Sequence, residues 1–333
     1  MANTGIILTM AYPDTIVMVA DEWYSSLLRY VGVGKKNYVR AGHAALVLIN
    51  KTSGILEYHD FGRYITPEPN GRVRGKDTDH ELGFPIKAHI ENDIIKNLDE
   101  ILGFLATHPK LTHGEGRLIA SVCHVVDYDK ARAHITAQQE RHFIRYAAFI
   151  KDASNCARFV TSALKASVTN ETILKKLVKS ERFTPSTVGN VVIANTGEFV
   201  YQVTQQGVVS KFESSAGAEN IRCFLDRLKN FTPNFVGTLK PMAVDHAHDK
   251  AQWLEGIAAG AWFELYETPV ASEYRFRRIS PHGNIDVDGL YKVNDDQFNY
   301  EESYRFLHYS NCSFYHIEQH KKIFRFDLID RIN

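Results

Sequence analysis

The chain has 333 residues, with 39 basic and 39 acidic side chains, 44% apolar residues, 19 Phe and 16 Tyr. Zero net charge removes the electrostatic case for a nucleic-acid partner, and the apolar fraction excludes extended disorder. The length points to about two domains. Four scattered cysteines point to a reducing compartment without a disulfide frame, and no run reaches the roughly 20 apolar residues of a membrane span.

In chain order, residues 5–10 and 15–20 read as short apolar strands around the turn Tyr12-Pro13-Asp14. The N-terminus has no basic stretch ahead of its apolar run, so no secretory signal is read and a cytoplasmic location is expected. Residues 22–30 are weakly helical. Residues 43–49 and 55–61 form a hairpin around Lys51-Thr52-Ser53-Gly54. Residues 66–80 read as a surface loop, and Arg72 and Arg74 as solvated surface. Helical periodicity follows over 86–107, then strands at 117–127 and 131–136, then a helix over 137–150. Helices are expected from Cys156 to about Ser167 and over 171–179, the second capped by Asn170. A second hairpin is expected from 188–194 and 198–203, and residues 205–220 read as a connection. Beyond it, 251–256 reads as helical, whereas 262–266, 273–279, 285–293 and 321–330 read as strands, with a turn at Pro281-His282-Gly283-Asn284.

The chemistry concentrates at Ser154-Asn155-Cys156-Ala157-Arg158-Phe159-Val160. Asn is a favoured N-cap residue, and Ala157, Val160, Thr161 and Leu164 recur at helical spacing. Cys156 therefore falls in a first helical turn, where the dipole and unpaired N–H groups favour a thiolate. His43, at the head of the strand His43-Ala44-Ala45-Leu46-Val47-Leu48, can serve as its base. A turn pairing Asn50 with Gly54 would set His59 opposite Ala45, on the His43 face and about 7 Å along. Glu57 would then lie opposite Val47, about 13 Å along. His59 is accordingly the first choice for the group that orients His43, and Glu57 the second. Asp60 joins that face only in a register of the other parity.

Other motifs read as structural. Cys123 and Cys223 sit in apolar patterns and are expected in the core, and Cys312, in a second Ser-Asn-Cys, is followed by a strand-like aromatic run. Asp245-His246-Ala247-His248-Asp249 reads as a polar loop, His316 and His320 lack the zinc-protease pattern, and Gly32-Val33-Gly34-Lys35-Lys36 lacks the P-loop spacing. No cofactor or metal is expected.

With histidine first and cysteine later, the order resembles that of the circularly permuted papain-like enzymes, namely NlpC-type peptidases and the lecithin:retinol acyltransferase-like group. The resemblance rests on His43 opening an apolar strand, His59 or Glu57 on the next, and Asn155-Cys156 opening a helix. Tyr12-Pro13-Asp14-Thr15-Ile16-Val17 is similar to their opening strand, and Phe183-Thr184-Pro185-Ser186 to a later Thr-Pro element. It covers roughly residues 5–205, with a longer His43-to-His59 gap and a larger insertion over 66–136 than the family pattern.

The resemblance implies an α+β, circularly permuted papain-like (NlpC-type) domain with an antiparallel sheet and a Cys-bearing helix over residues 1–210. A smaller β-rich accessory domain would occupy 211–333. It implies a cysteine peptidase or amidase cleaving a peptide-like or peptidoglycan-fragment-like substrate through a Cys156 acyl-enzyme, with His43 as base. The competing expectations are an acyltransferase or thioesterase on lipid-like acyl groups, and an inactive binding module on the same fold. The expected partner is a small peptide-like or acyl substrate, with no nucleic acid and no membrane insertion.

Overall fold

Short β-branched and apolar runs bounded by Gly, Pro and Asn become strands, and segments with a polar cap ahead of i, i+3, i+4 apolar spacing become helices. The computed structural model describes residues 3–20, 22, 33–35, 38–66, 69–231, 241, 243–245, 247–256, 259–281, 283–308 and 310–332. The helix expected over 22–30 therefore lies outside the described residues except for Glu22, as do Gly32, Lys36, His246 and His282. Two compact units emerge: Met1–Gly62 with Phe84–Pro233, and Arg63–Gly83 with Asn234–Asn333.

The first unit opens with β1 (Gly5–Tyr12), β2 (Ile16–Met18), β3 (Tyr38–Arg40), β4 (His43–Asn50) and β5 (Leu56–Gly62). Strand β6 (Asn70–Arg74) belongs to the second unit. The first unit resumes with β7 (Ile90–Glu91), β8 (Ile94–Ile95), α1 (Leu98–Thr107), α2 (Pro109–Thr112), β9 (Leu118–Val126), α3 (Tyr128–Glu140) and β10 (Ile144–Arg145). It continues through α4 (Cys156–Ser167), α5 (Glu171–Ser180), α6 (Thr187–Ala194), β11 (Tyr201–Val203), β12 (Val209–Lys211) and α7 (Ala216–Phe224). Its sheet runs β5-β4-β1-β9-β11-β12 with antiparallel neighbours. Strands β1 and β4 are almost wholly buried, which is why both read as continuous apolar runs rather than alternating ones.

Several expectations needed correction. Residues 188–194 are helix α6, not a strand: Ser186 caps it by accepting from Gly189 N, and its buried Val188, Val191 and Ala194 follow helical spacing. Residues 131–136 belong to α3, capped by Asp127, and not to a strand. The helix expected over 86–107 begins only at Leu98, because Asn92 and Asp93, both at positive φ, turn β7 back into β8. Of the residues 251–256 expected as helix, Gln252–Gly256 form a strand, and 205–220 hold β12 and most of α7. Cys223 is half-buried.

The second unit carries β13 (Gln252–Gly256), β14 (Ala259–Glu267), β15 (Glu273–Ile279), β16 (Ile285–Val293), β17 (Arg305–Leu307), β18 (Phe314–Gln319) and β19 (Lys322–Arg331). They form one antiparallel sheet in the order β13-β14-β15-β16-β19-β18-β17. The Gln252 side chain joins its two edges, donating to Tyr304 O (2.9 Å) and accepting from Phe306 N (2.9 Å). Stacked rings fill its interior, with Phe276, Tyr315 and Phe326 in series at 4.3 and 4.6 Å. Arg72 and Arg74 are buried here rather than solvated: Arg72 grips Asp79 with two hydrogen bonds (2.6 and 2.7 Å), and buried Arg278 reaches Asp79 and Glu81. A buried guanidinium needs such carboxylates, and they lie a few residues ahead in the same segment.

Candidate active site

Asn155 has an extended backbone, and its side chain accepts from Arg158 N at 2.9 Å, so it caps α4 and leaves Cys156 as the first helical residue. The first turn is pinned from behind. Buried Asn190 of α6 donates to Ala157 O (2.8 Å) and accepts from the Thr161 hydroxyl (2.9 Å). The preceding loop is held from two sides: Glu22 accepts from Ala148 N and Phe149 N (2.8 and 3.0 Å), and Arg158 donates to Ile150 O (2.9 Å).

His43 begins β4 directly after Gly42, whose φ of +73° lets the chain turn into the strand. A Cβ on Gly42 would also lie 3.0 Å from Tyr12 O. His43 is 6% exposed and Cys156 7%, and Cys156 lies close enough to the imidazole to act on its titration. The ring's Nε2 meets Asp60 Oδ2 at 3.1 Å, and Asp60 is fully buried. Burial pushes the imidazolium down. The hydrogen bonds to Asp60 and then Cys156, with their charges, outweigh it, and His43 is raised to about 9.

The carboxylate that meets His43 is thus Asp60, and the register expected for His59 and Glu57 shifts by one residue. Asn50 N bonds Ile55 O, Gly54 N bonds Asn50 O, and Ala45 pairs with Asp60. The loop holds four residues rather than three, because Gly54 at φ +66° adds one. His59 and Glu57 then share the opposite face. There Glu57 accepts from the Tyr128 hydroxyl and pairs with Arg132. Sequence reasoning put Asp60 on this face only under the other parity, which is the one found, and missed Tyr58 and Tyr12. The available signal was Gly54 itself, whose positive φ lengthens such turns.

The remaining cysteines differ from Cys156 in their surroundings. Burial pushes the Cys123 thiol up to about 11 and that of Cys312 to about 12, and Cys312 donates to Asp77 O at 3.2 Å.

An α+β protein with a cysteine at a helix start, a histidine on it and an aspartate behind the histidine is the class defined by fold and site. The family described as type VI secretion system effector TseH-like matches residues 7–173. That match spans half of the chain, and the chain belongs to this family. Residues 251–329 match a second family, the DUF6695 C-terminal domain. Among solved structures, the crystal structure of the type VI secretion system effector TseH is similar at 19% identity, covering 64% of this chain and 100% of that one, with a TM-score of 0.44. No curated protein matches the chain. Among the described residues, no helix is long and apolar enough to cross a membrane.

Proposed function

We propose that this protein is a cysteine hydrolase that cleaves an amide bond in a peptide-like or peptidoglycan-fragment-like substrate, on a circularly permuted papain-like (NlpC-type) unit. The observation that carries this reading is the His43 ring, engaged by Asp60 through Nε2, with Cys156 at the start of α4 close enough to act on its charge. In the proposed cycle the Cys156 thiolate attacks the carbonyl carbon and the carbonyl electron pair moves to oxygen. The Cys156 N–H, pointing out of the helix start, is one donor to that oxyanion. Collapse expels the amine, which takes its proton from the His43 imidazolium, and leaves a thioester. His43 then removes a proton from water as the water attacks, and cleavage of the C–S bond restores the thiolate and the imidazolium. Asp60 keeps the ring turned toward sulfur and favours its charged form. Membership in a family described as secretion-system effectors supports a target outside the producing cell, in place of the cytoplasmic location expected from the sequence.

An alkyne-tagged iodoacetamide tests the reading. Wild type should label at neutral pH, Cys156→Ala should not, and His43→Ala and Asp60→Asn should label more slowly. Equal labelling of Cys156→Ala and wild type removes the proposed nucleophile. Mass spectrometry after incubation with muropeptides, peptides and acyl lipids then identifies the bond cut. Cleaved acyl lipids beside intact muropeptides and peptides would move the reading to acyl transfer.

A further inference from the structure

We infer that the helical segment spanning residues 98–114 is a brace for the His43–Asp60 pair, acting through the hydroxyls of Tyr12 and Tyr58 as positioning residues. Its functional meaning rests on the hydrolase reading, while its geometry stands apart from it. His43 lies on β4, between β5 and β1, and each neighbouring strand contributes one fully buried tyrosine. Tyr12 pairs with His43 in the β1–β4 register, and the two rings stack with centroids 6.4 Å apart and planes 23° apart. Its hydroxyl donates to Leu105 O in the last turn of α1 (3.1 Å). The Tyr58 hydroxyl shares one proton between Asp60 Oδ2 (3.1 Å), the oxygen that holds His43, and Thr112 O at the end of α2 (3.0 Å).

The last carbonyls of a helix have no partner within it. Two phenols from the sheet fill this need at Leu105 and Thr112, and through them the helical segment gains a grip on both members of the pair. The grip is tight from the helical side. A Cβ at Gly114 would come within 2.2 Å of the Tyr12 ring, and Phe84 packs against both Tyr58 (5.5 Å) and Phe104 of α1 (5.1 Å). The stack resists rotation of the imidazole, and the shared oxygen resists rotation of the carboxylate. Supporting contacts of this kind fix the orientation of a functional side chain in the same way outer partners orient metal-bound histidines.

The test uses the full chain with Tyr58→Phe and Tyr12→Phe, which remove hydroxyls and keep rings, and Gly114→Ala, which pushes from the brace side. Two readouts report positioning: the His43 imidazole proton in ¹⁵N-histidine NMR, and the pH profile of Cys156 alkylation by iodoacetamide. Wild type should show a protected, downfield Nε2 proton that Asp60→Asn abolishes. In Tyr58→Phe this signal should broaden or move upfield. The acid limb of alkylation should rise by about one pH unit, the scale of one hydrogen bond to a charged group. Tyr12→Phe and Gly114→Ala should weaken the same signal with circular dichroism unchanged. If the signal and the profile stay at wild-type positions in all three variants while Tm falls, the tyrosines only pack and the brace is overturned. If wild-type Cys156 alkylates no faster than in His43→Ala, yet the imidazole proton still responds to Tyr58→Phe, the hydrolase reading fails and the brace survives.

Discussion

The two units bury charge in opposite ways. In the second, Asp79 is held by Arg72 and Arg278, and these guanidinium groups carry their charge at any working pH, so Asp79 keeps its ionised state through the neutral range. In the first, Asp60 is held by a histidine, whose charge can change within the working range and which has a thiol beside it. Burial alone therefore does not distinguish a site from a clasp. The titratability of the carboxylate's partner does.

The comparison breaks most sharply by deletion at the site. Cys156→Ala should remove hydrolysis of any cleaved substrate by a factor of about 10³ or more while leaving unfolding little changed, measured by product release and denaturant titration. Arg278→Met should do the reverse. It leaves Asp79 with Arg72 alone and takes the guanidinium from Glu81, and should destabilise the second unit by about 3–5 kcal/mol, read by urea unfolding.

The pH dependences should separate as well. His43 is raised to about 9, so its contribution is complete below about pH 6.5 and is lost as pH rises through 9. Stability of the first unit should fall by about 3 kcal/mol over that window, and the fall should vanish in His43→Ala. Burial pushes Asp79 up, but the charge of Arg72 outweighs it, with its hydrogen bonds and Arg278 adding to the effect, and holds the carboxyl at about 2. Its contribution is therefore present above about pH 4 and lost as pH falls toward 2. Calorimetry across pH 2–10 checks both, and a second unit whose stability does not fall between pH 4 and 2 would erase the contrast. The smallest effect belongs to Asn155→Ala. Loss of the cap should cost about 1 kcal/mol and slow Cys156 alkylation, whereas Asn170→Ala on α5 should cost a similar amount without touching alkylation.

What the amino-acid order determined by itself is local. Asn155 followed by Cys156 and an apolar helical spacing specifies a capped helix with sulfur in its first turn, and His43 heads a strand, because capping and periodicity act over a few residues. Asn170 as the α5 cap and the strands over 273–279 and 285–293 were legible for the same reason. Tertiary structure decided which carboxylate meets His43. A one-residue change in a turn inverts every side chain beyond it, and that residue is Gly54, seated where a Cβ would strike Ala88 O at 2.2 Å. The same holds for α6, whose apolar run fits strand or helix until Asn190 finds Ala157 and Thr161, and for Arg72, buried only because Asp79 folds back to meet it. Partners distant in sequence, or placed by the parity of a loop, leave no periodic trace in the chain.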